Sequence, residues 1–146
     1  MTATNHALSG ALIGAFLPLP IAVPLAFASH FILDALPHYG IAIGLRDSSR
    51  SYRAIVLADL FVALSIGLAA IVFGKWRMEI TGWVAYSADI TWVMQYARTR
   101  SLDLKDSNWF TRFHHRIQRY ESQKGLLVEL ALFAALLPLF IIQILN

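Results

Sequence analysis

The chain has 146 residues, of which 58% are hydrophobic and only 14% are charged. A water-soluble protein of this size needs more polar side chains to cover its surface, so we expect one integral membrane domain over residues 1–146. The net charge of +3 does not indicate nucleic acid as a partner, because Lys and Arg flank apolar segments, where anionic lipid and membrane topology account for them.

The apolar amino-terminal segment predicts a proline-bent helical hairpin. Pro18, Pro20 and Pro24 interrupt the segment, and prolines inside a helix remove backbone hydrogen bonds. We expect a first arm over 7–16, a bend, and a second arm that ends before Pro37. Both ends of the hairpin then lie on one side of the membrane. The segment lacks the basic start of a secretory signal, so we expect it to remain in the mature protein.

Three later stretches are continuously apolar and about 20 residues long, which is enough to cross a hydrocarbon core about 30 Å thick. They predict transmembrane helices over 52–73, 78–97 and 126–145. The expected fold class is therefore an all-α integral membrane protein with a hairpin and three transmembrane helices.

A polar segment over 98–125 predicts an amphipathic helix in the membrane interface. Ser107 or Asn108 can cap its start, and Gly125 separates it from the last span. Its apolar side chains recur at helical spacing: Trp109, Phe110, Phe113, Ile117 and Tyr120.

Basic residues are distributed unequally across this topology. Lys75 and Arg77 fall on the side opposite the hairpin ends, and the other ten of the 12 Lys and Arg residues fall on the side of the hairpin ends. The positive-inside rule makes that richer side, with the amino terminus, cytoplasmic. The ten residues are Arg46, Arg50, Arg53, Arg98, Arg100, Lys105, Arg112, Arg116, Arg119 and Lys124.

Histidines and deep carboxylates gather on the same side. An ionisable side chain at membrane depth is costly and usually serves a site. Because the chain has no cysteine, a metal would be bound by imidazole and carboxylate, which suit zinc or manganese. Glu121 and Glu129 are candidate catalytic carboxylates. The candidate metal ligands are His6, His30, Asp34, His38, Asp59, Asp89, His114 and His115.

The sharpest local signal is the pair His30 and Asp34. Residues four apart point the same way from one helix, and an imidazole with a carboxylate can bind a divalent cation. Pro37 ends the helix and lets His38 turn back over its end. The alternative for the pair is a helix-end ion pair or a hydrogen-bonded cap.

The other candidates also have structural alternatives. Small residues after His6 allow the two hairpin arms to approach closely, but His6 could simply lie in the interface. Asp59 and Asp89 could form interhelical hydrogen bonds. His114 is expected to face the bundle, whereas His115 points about 100° further round, toward a second metal, a substrate or a lipid headgroup.

The segment SHFILDALPHYG, residues 29–40, resembles an element of bacterial inner-membrane metal-dependent hydrolases, and His6 with Gly10 fits the same family. The His-Phe-x-x-Asp core also resembles the ligand helix of zinc-dependent phospholipase C. The resemblance implies metal-ligand roles for His30, Asp34 and His6, and an inner-membrane location. The Pro-Asp-x-Asp and His-Arg-Gly-x-Thr-His-Ser elements of that membrane family do not occur in this sequence.

Together these features predict a metal-dependent hydrolase that cleaves a phosphate ester of a lipid at the cytoplasmic interface. A metal or proton transporter is the first alternative, although Glu79 is the one acid on the opposite side. Haem ligation by facing histidines and a non-catalytic membrane scaffold remain open.

Overall fold

The computed structural model of the chain describes residues 1–41 and 49–146, and this part is almost entirely helical. The all-α prediction is confirmed. Arg46, which the charge count included, lies outside the described residues. The helices are α1 (Ala3–Phe16), α2 (Leu19–Asp34), α3 (Arg50–Val72), α4 (Trp76–Tyr86), α5 (Ile90–Thr99), α6 (Trp109–Ile117) and α7 (Leu126–Leu145), and the strands are β1 (His38–Tyr39) and β2 (Glu121–Ser122).

Two helical segments are long and apolar enough to cross a membrane. They are α3 and Gln123–Leu145, in which a 3₁₀ turn continues into α7. Most of their apolar surface faces outward: Phe61 on α3 is 72% exposed and Leu127 on α7 is 74% exposed. Apolar patches of this extent are unusual on soluble monomers, so both helices are compatible with membrane insertion.

The stretch over 78–97 is not one continuous α-helix. A 3₁₀ turn, Ser87–Asp89, separates α4 from α5. The Ser87 hydroxyl donates to the Val84 carbonyl, and such a side-chain bond competes with the regular helical ladder. At 11 residues, α4 alone is about 16 Å long, which is shorter than a hydrocarbon core. The break places Asp89 at the joint between two helices.

Glycines bring α1 close to α4. A Cβ on Gly10 would overlap the Thr81 carbonyl, and a Cβ on Gly14 would overlap the Thr81 hydroxyl and the Arg77 carbonyl. The small residues after His6 were expected to lie between the two hairpin arms, but Gly10 faces α4 instead. Side chains of α1, α3, α4 and α7 form the apolar core nearby: Leu8, Ala11, Leu12, Ile66, Ala70, Met78, Phe140 and Ile144.

A carboxylate from α3 binds the first turn of α1. Asp59 accepts hydrogen bonds from the backbone N–H of Ala3 at 2.7 Å and of Thr4 at 3.0 Å. These groups have no partner within their own helix, and the positive end of the helix dipole favours a carboxylate there. Asp59 therefore fixes the start of the helix that carries His6.

A second carboxylate, Glu129 of α7, accepts hydrogen bonds from two segments that are distant in sequence, the amino terminus and β1. Glu129 accepts from the backbone N–H of Thr2 at 3.2 Å and of Tyr39 at 2.9 Å. The Asn5 side chain also donates to the Glu129 backbone carbonyl at 3.1 Å. Glu129 thus ties the amino terminus and β1 to α7.

The two short strands pair the segment that follows α2 with the segment that precedes α7. β1 and β2 are parallel, with His38 opposite Glu121. A Cβ on Gly125 would overlap the His38 backbone, so glycine is needed where the chain enters α7.

Candidate metal centre

Four side chains from three parts of the chain converge beside the carboxyl end of α2. His30 and Asp34 come from α2, Asp89 from the 3₁₀ turn before α5, and His114 from α6. One ligand atom from each lies within 4.8 Å of every other, so the group could hold a metal ion. The structure confirms that these four predicted ligands lie together.

Local structure explains how the two helices present these groups. His30 and Asp34 are one helical turn apart on α2, and their side chains are fully buried. The Asn108 side chain accepts from the Thr111 backbone N–H at 2.9 Å, which confirms one of the two predicted caps of α6. This cap starts α6 so that His114 falls on its buried face.

The shortest contacts centre on one oxygen of Asp34. His114 Nε2 lies 2.6 Å and His30 Nε2 3.2 Å from Asp34 Oδ2, and the two Nε2 atoms are 2.8 Å apart. Asp89 Oδ1 lies 3.8 Å from both imidazole nitrogens. In a tetrahedral zinc site, bonds of 2.0–2.1 Å place ligand atoms about 3.3 Å apart. The observed separations bracket that value.

The second contact of His30 fixes which tautomer a neutral ring adopts. Its Nδ1–H donates to the Ala85 carbonyl at 2.8 Å, and a carbonyl can only accept. A neutral His30 therefore has a lone pair on Nε2 that faces the Asp34 carboxylate. Metal-binding histidines characteristically donate their other N–H to such a partner, which fixes the tautomer and the orientation of the ring.

The groups around Asp34 fit a bound cation better than they fit a set of hydrogen bonds without one. The Gln118 amide donates to Oδ2 at 2.9 Å, so three nitrogens surround an oxygen that has two lone pairs. When His30 is neutral, its Nε2 lone pair and the carboxylate at this distance repel each other unless a positive charge lies between them, whereas a protonated His30 would donate Nε2–H to Asp34. A divalent cation would compensate this charge, and the donor set fits zinc or manganese.

The other oxygen of Asp34 faces the amino-terminal helix. His6 Nε2 lies 3.2 Å from Asp34 Oδ1, and the amino group of Met1 also forms an ion pair with Oδ1. The His6 ring stacks on His30 with ring centres 3.9 Å apart. His6 therefore contacts the ligand group, and its predicted role as a ligand stays a prediction.

One edge of the group is open to the outside. The Asp89 side chain is 31% exposed, whereas those of His30, Asp34 and His114 are fully buried. Asp89 therefore marks the side from which water or a substrate can reach the group.

Asp59 and Glu129 lie outside the four-residue group. Their side-chain oxygens accept from backbone N–H groups around the start of α1, as described above. These bonds match the structural alternative for Asp59. The catalytic role predicted for Glu129 stays a prediction.

The remaining predicted residues also lie outside the group. His38 is buried, and its Nδ1–H donates to the Leu36 carbonyl at 2.8 Å. His115 packs edge-on against Trp92, with ring centres 6.4 Å apart. Glu121 lies in β2, where its side chain covers Gly40. Roles for these three in a metal site or in catalysis stay predictions.

Gln118 belongs to the site, although the sequence interpretation assigned it no role. It is buried, donates to Asp34 and lies 3.3 Å from His114 Nε2 through its amide nitrogen. The signal was its position four residues after His114, which places both on one helical stripe.

Comparisons with known protein families, with curated proteins and with solved structures found no match. The site is therefore interpreted from its own residues and geometry.

Proposed function

We propose that the chain is a membrane-bound hydrolase that uses a divalent cation, zinc or manganese, bound by His30, Asp34, Asp89 and His114. The observation that carries the proposal is the arrangement of His30, whose Nδ1–H is bound to a backbone carbonyl while its Nε2 points at Asp34 and His114. A helix-end ion pair does not need this convergence of two imidazoles and two carboxylates.

A divalent cation in such a ligand set polarises an ester oxygen and lowers the pKa of a water molecule toward about 7. The residues of the chain position and orient the reacting groups. Gln118 and the Nδ1–H bond of His30 would hold the ligands in place, and the carboxylate oxygen of Asp89 that does not bind the cation can accept a proton from a water that enters at the open edge. Glu121 and Glu129 remain candidate proton acceptors.

A phosphate ester of a lipid is the substrate class that fits the surroundings best. The two apolar helices put the site next to a bilayer if they span it, and exposed arginines on α6 lie on the helix that carries His114. Guanidinium groups on this surface attract the phosphate headgroups of anionic lipids to the membrane next to the site. The resemblance of residues 29–40 to inner-membrane hydrolases and the excess of basic residues support a bacterial inner membrane with the site on its cytoplasmic face.

The test is hydrolysis of phospholipids in mixed micelles by the purified chain. The substrates are a phosphatidic acid, a phosphatidylglycerol and a phosphatidylcholine, and the products are released phosphate or headgroup. We expect a chelator to stop the reaction and added zinc or manganese to restore it. Asp34→Asn should lower the rate at least about 100-fold, because it removes a ligand charge without changing side-chain volume.

Asp59→Asn is the matched control, since it makes the same change in a carboxylate outside the ligand group. It should keep most of the activity. Activity that survives both the chelator and Asp34→Asn would contradict a metal-dependent hydrolase. Bound metal without hydrolysis of any of the three lipids would also contradict the proposal, and metal-driven ion flux in proteoliposomes would then favour the transporter.

A further inference from the structure

The two faces of α6 differ sharply. Thr111, His114 and Gln118 are buried against the ligand group. The opposite face carries aromatic and basic side chains at positions i, i+3, i+4 and i+7, which form one continuous helical stripe. These residues are Trp109, Arg112, Phe113 and Arg116, and all four are exposed. We call them the outer face of α6.

This outer face has the chemistry of a helix that lies on a membrane. Trp109 is 77% exposed and Phe113 is 46% exposed, with an arginine beside each. Aromatic rings favour the boundary between headgroups and acyl chains, and arginine binds phosphate there. After α6 ends at Ile117, the pattern continues with Tyr120, which is half exposed. The Arg119 guanidinium carbon lies 4.8 Å from the centre of the Tyr120 ring.

Few contacts hold α6 against the rest of the protein. Its apolar anchor is Phe31 of α2, whose ring centre lies 6.1 Å from that of Phe110 and 5.8 Å from that of Phe113. Its polar contacts include those of His114 with His30, Asp34 and Asp89 and that of Gln118 with Asp34. A nine-residue helix is marginal on its own, so its position depends on what binds its two faces.

We propose that the outer face of α6 binds the headgroups of anionic phospholipids, and that this contact holds His114 in the metal site. The inference rests on the proposed metal site and adds a partner that regulates it. Two observations favour anionic lipid over a protein partner. Arg112 and Arg116 lie beside exposed aromatic rings, and the same structure presents two apolar helices whose side chains face outward. Metal affinity should then rise with anionic lipid content.

The experiment compares zinc or manganese titrations of the full chain in two kinds of lipid nanodisc, one of phosphatidylcholine and one that also contains phosphatidylglycerol. We expect tighter metal binding in the anionic discs, by about fivefold for each arginine engaged. The double variant Arg112→Gln/Arg116→Gln should lose this difference. Soluble glycerol phosphate added to phosphatidylcholine discs should not reproduce it, which separates a lipid surface from a free phosphate.

Lys75→Gln/Arg77→Gln is the matched control, because it removes the same charge from the start of α4. It should keep the lipid dependence, and it also controls for metal that concentrates at any anionic surface. Equal metal affinity in both discs, or equal lipid dependence in both double variants, would overturn the proposal.

Docking of the outer face is measured separately by quenching of tryptophan fluorescence with brominated phosphatidylglycerol. Wild type should be quenched more than Trp109→Phe, with or without metal. Quenching without any metal binding would count against the proposed metal site and would leave only lipid docking. Metal binding without this extra quenching would count against lipid docking and would leave the metal site.

Discussion

Two pairs of buried or half-buried carboxylates look alike in the sequence but have different partners in the structure. Asp34 and Asp89 meet imidazole nitrogens at the end of α2, whereas Asp59 and Glu129 accept from backbone N–H groups around the start of α1. Both arrangements offset the cost of an acid at membrane depth. With neutral histidines, the first leaves lone pairs facing one another, whereas the second gives each carboxylate oxygen a backbone donor.

The difference in partners distinguishes a candidate binding site at the end of α2 from a structural contact at the start of α1. At the start of α1, backbone donors and the helix dipole already stabilise the carboxylates, so a cation is not needed. At the end of α2, the Nε2 lone pair of a neutral His30 faces a carboxylate, and a cation would stabilise both. The predictions below test whether metal binding follows this division.

The largest effect is expected for Asp34→Asn. This change keeps the shape of the side chain and removes the charge that five neighbouring nitrogens share, three at Oδ2 and two at Oδ1. We expect the affinity for zinc or manganese to fall at least about 100-fold, measured by competition with a fluorescent chelator. An affinity within a few-fold of wild type would show that Asp34 is not a ligand.

Asp59→Asn should act on stability instead. Replacing one oxygen by an amide nitrogen breaks one of the two hydrogen bonds to the first turn of α1. It also removes the negative charge that the positive end of the helix dipole favours. We expect a loss of about 2 kcal/mol, read as a lower thermal midpoint in detergent, with metal affinity changed by less than about threefold. A large loss of metal affinity in a folded variant would instead place Asp59 in the metal site.

Gln118→Leu tests the residue that the sequence interpretation left without a role. The change removes the amide that donates to Asp34 but keeps a side chain of similar size in a buried position. We expect metal affinity to fall about tenfold, as for other groups that orient a ligand. Gln118→Glu should not restore it, because a second carboxylate beside Asp34 cannot donate.

Glu129→Gln should have the smallest effect. One backbone N–H, on Thr2 or Tyr39, loses its acceptor, at a cost of about 1 kcal/mol. Metal affinity should stay unchanged. Loss of hydrolysis in a variant that is folded and fully metal-bound would favour the catalytic role predicted for Glu129 over its structural one.

The sequence predicted the helical class, and four of its eight candidate ligands lie together in the structure, for two physical reasons. Apolar runs report membrane helices directly, and residues four apart on a helix, such as His30 and Asp34, must share a face. Asp89 and His114 followed from the rule that buried charges gather where they serve a site.

What the sequence could not predict depends on backbone geometry between distant segments. The break at Ser87–Asp89 arises in a segment whose composition suits a continuous helix. The first turn of α1 binds Asp59 through backbone groups, which carry no sequence signal. Gly10 faces α4 rather than α2 because the crossing of helices, and not composition, decides which neighbour a small residue meets.

The most direct test of the account is the metal content of the purified protein, measured by elemental analysis alongside Asp34→Asn and Asp59→Asn. The account predicts bound zinc or manganese in wild type and in Asp59→Asn, little in Asp34→Asn, and a higher thermal midpoint when metal is added to the stripped wild type. Wild-type protein that contains no metal and gains no thermal stability from added zinc or manganese would contradict the metal centre.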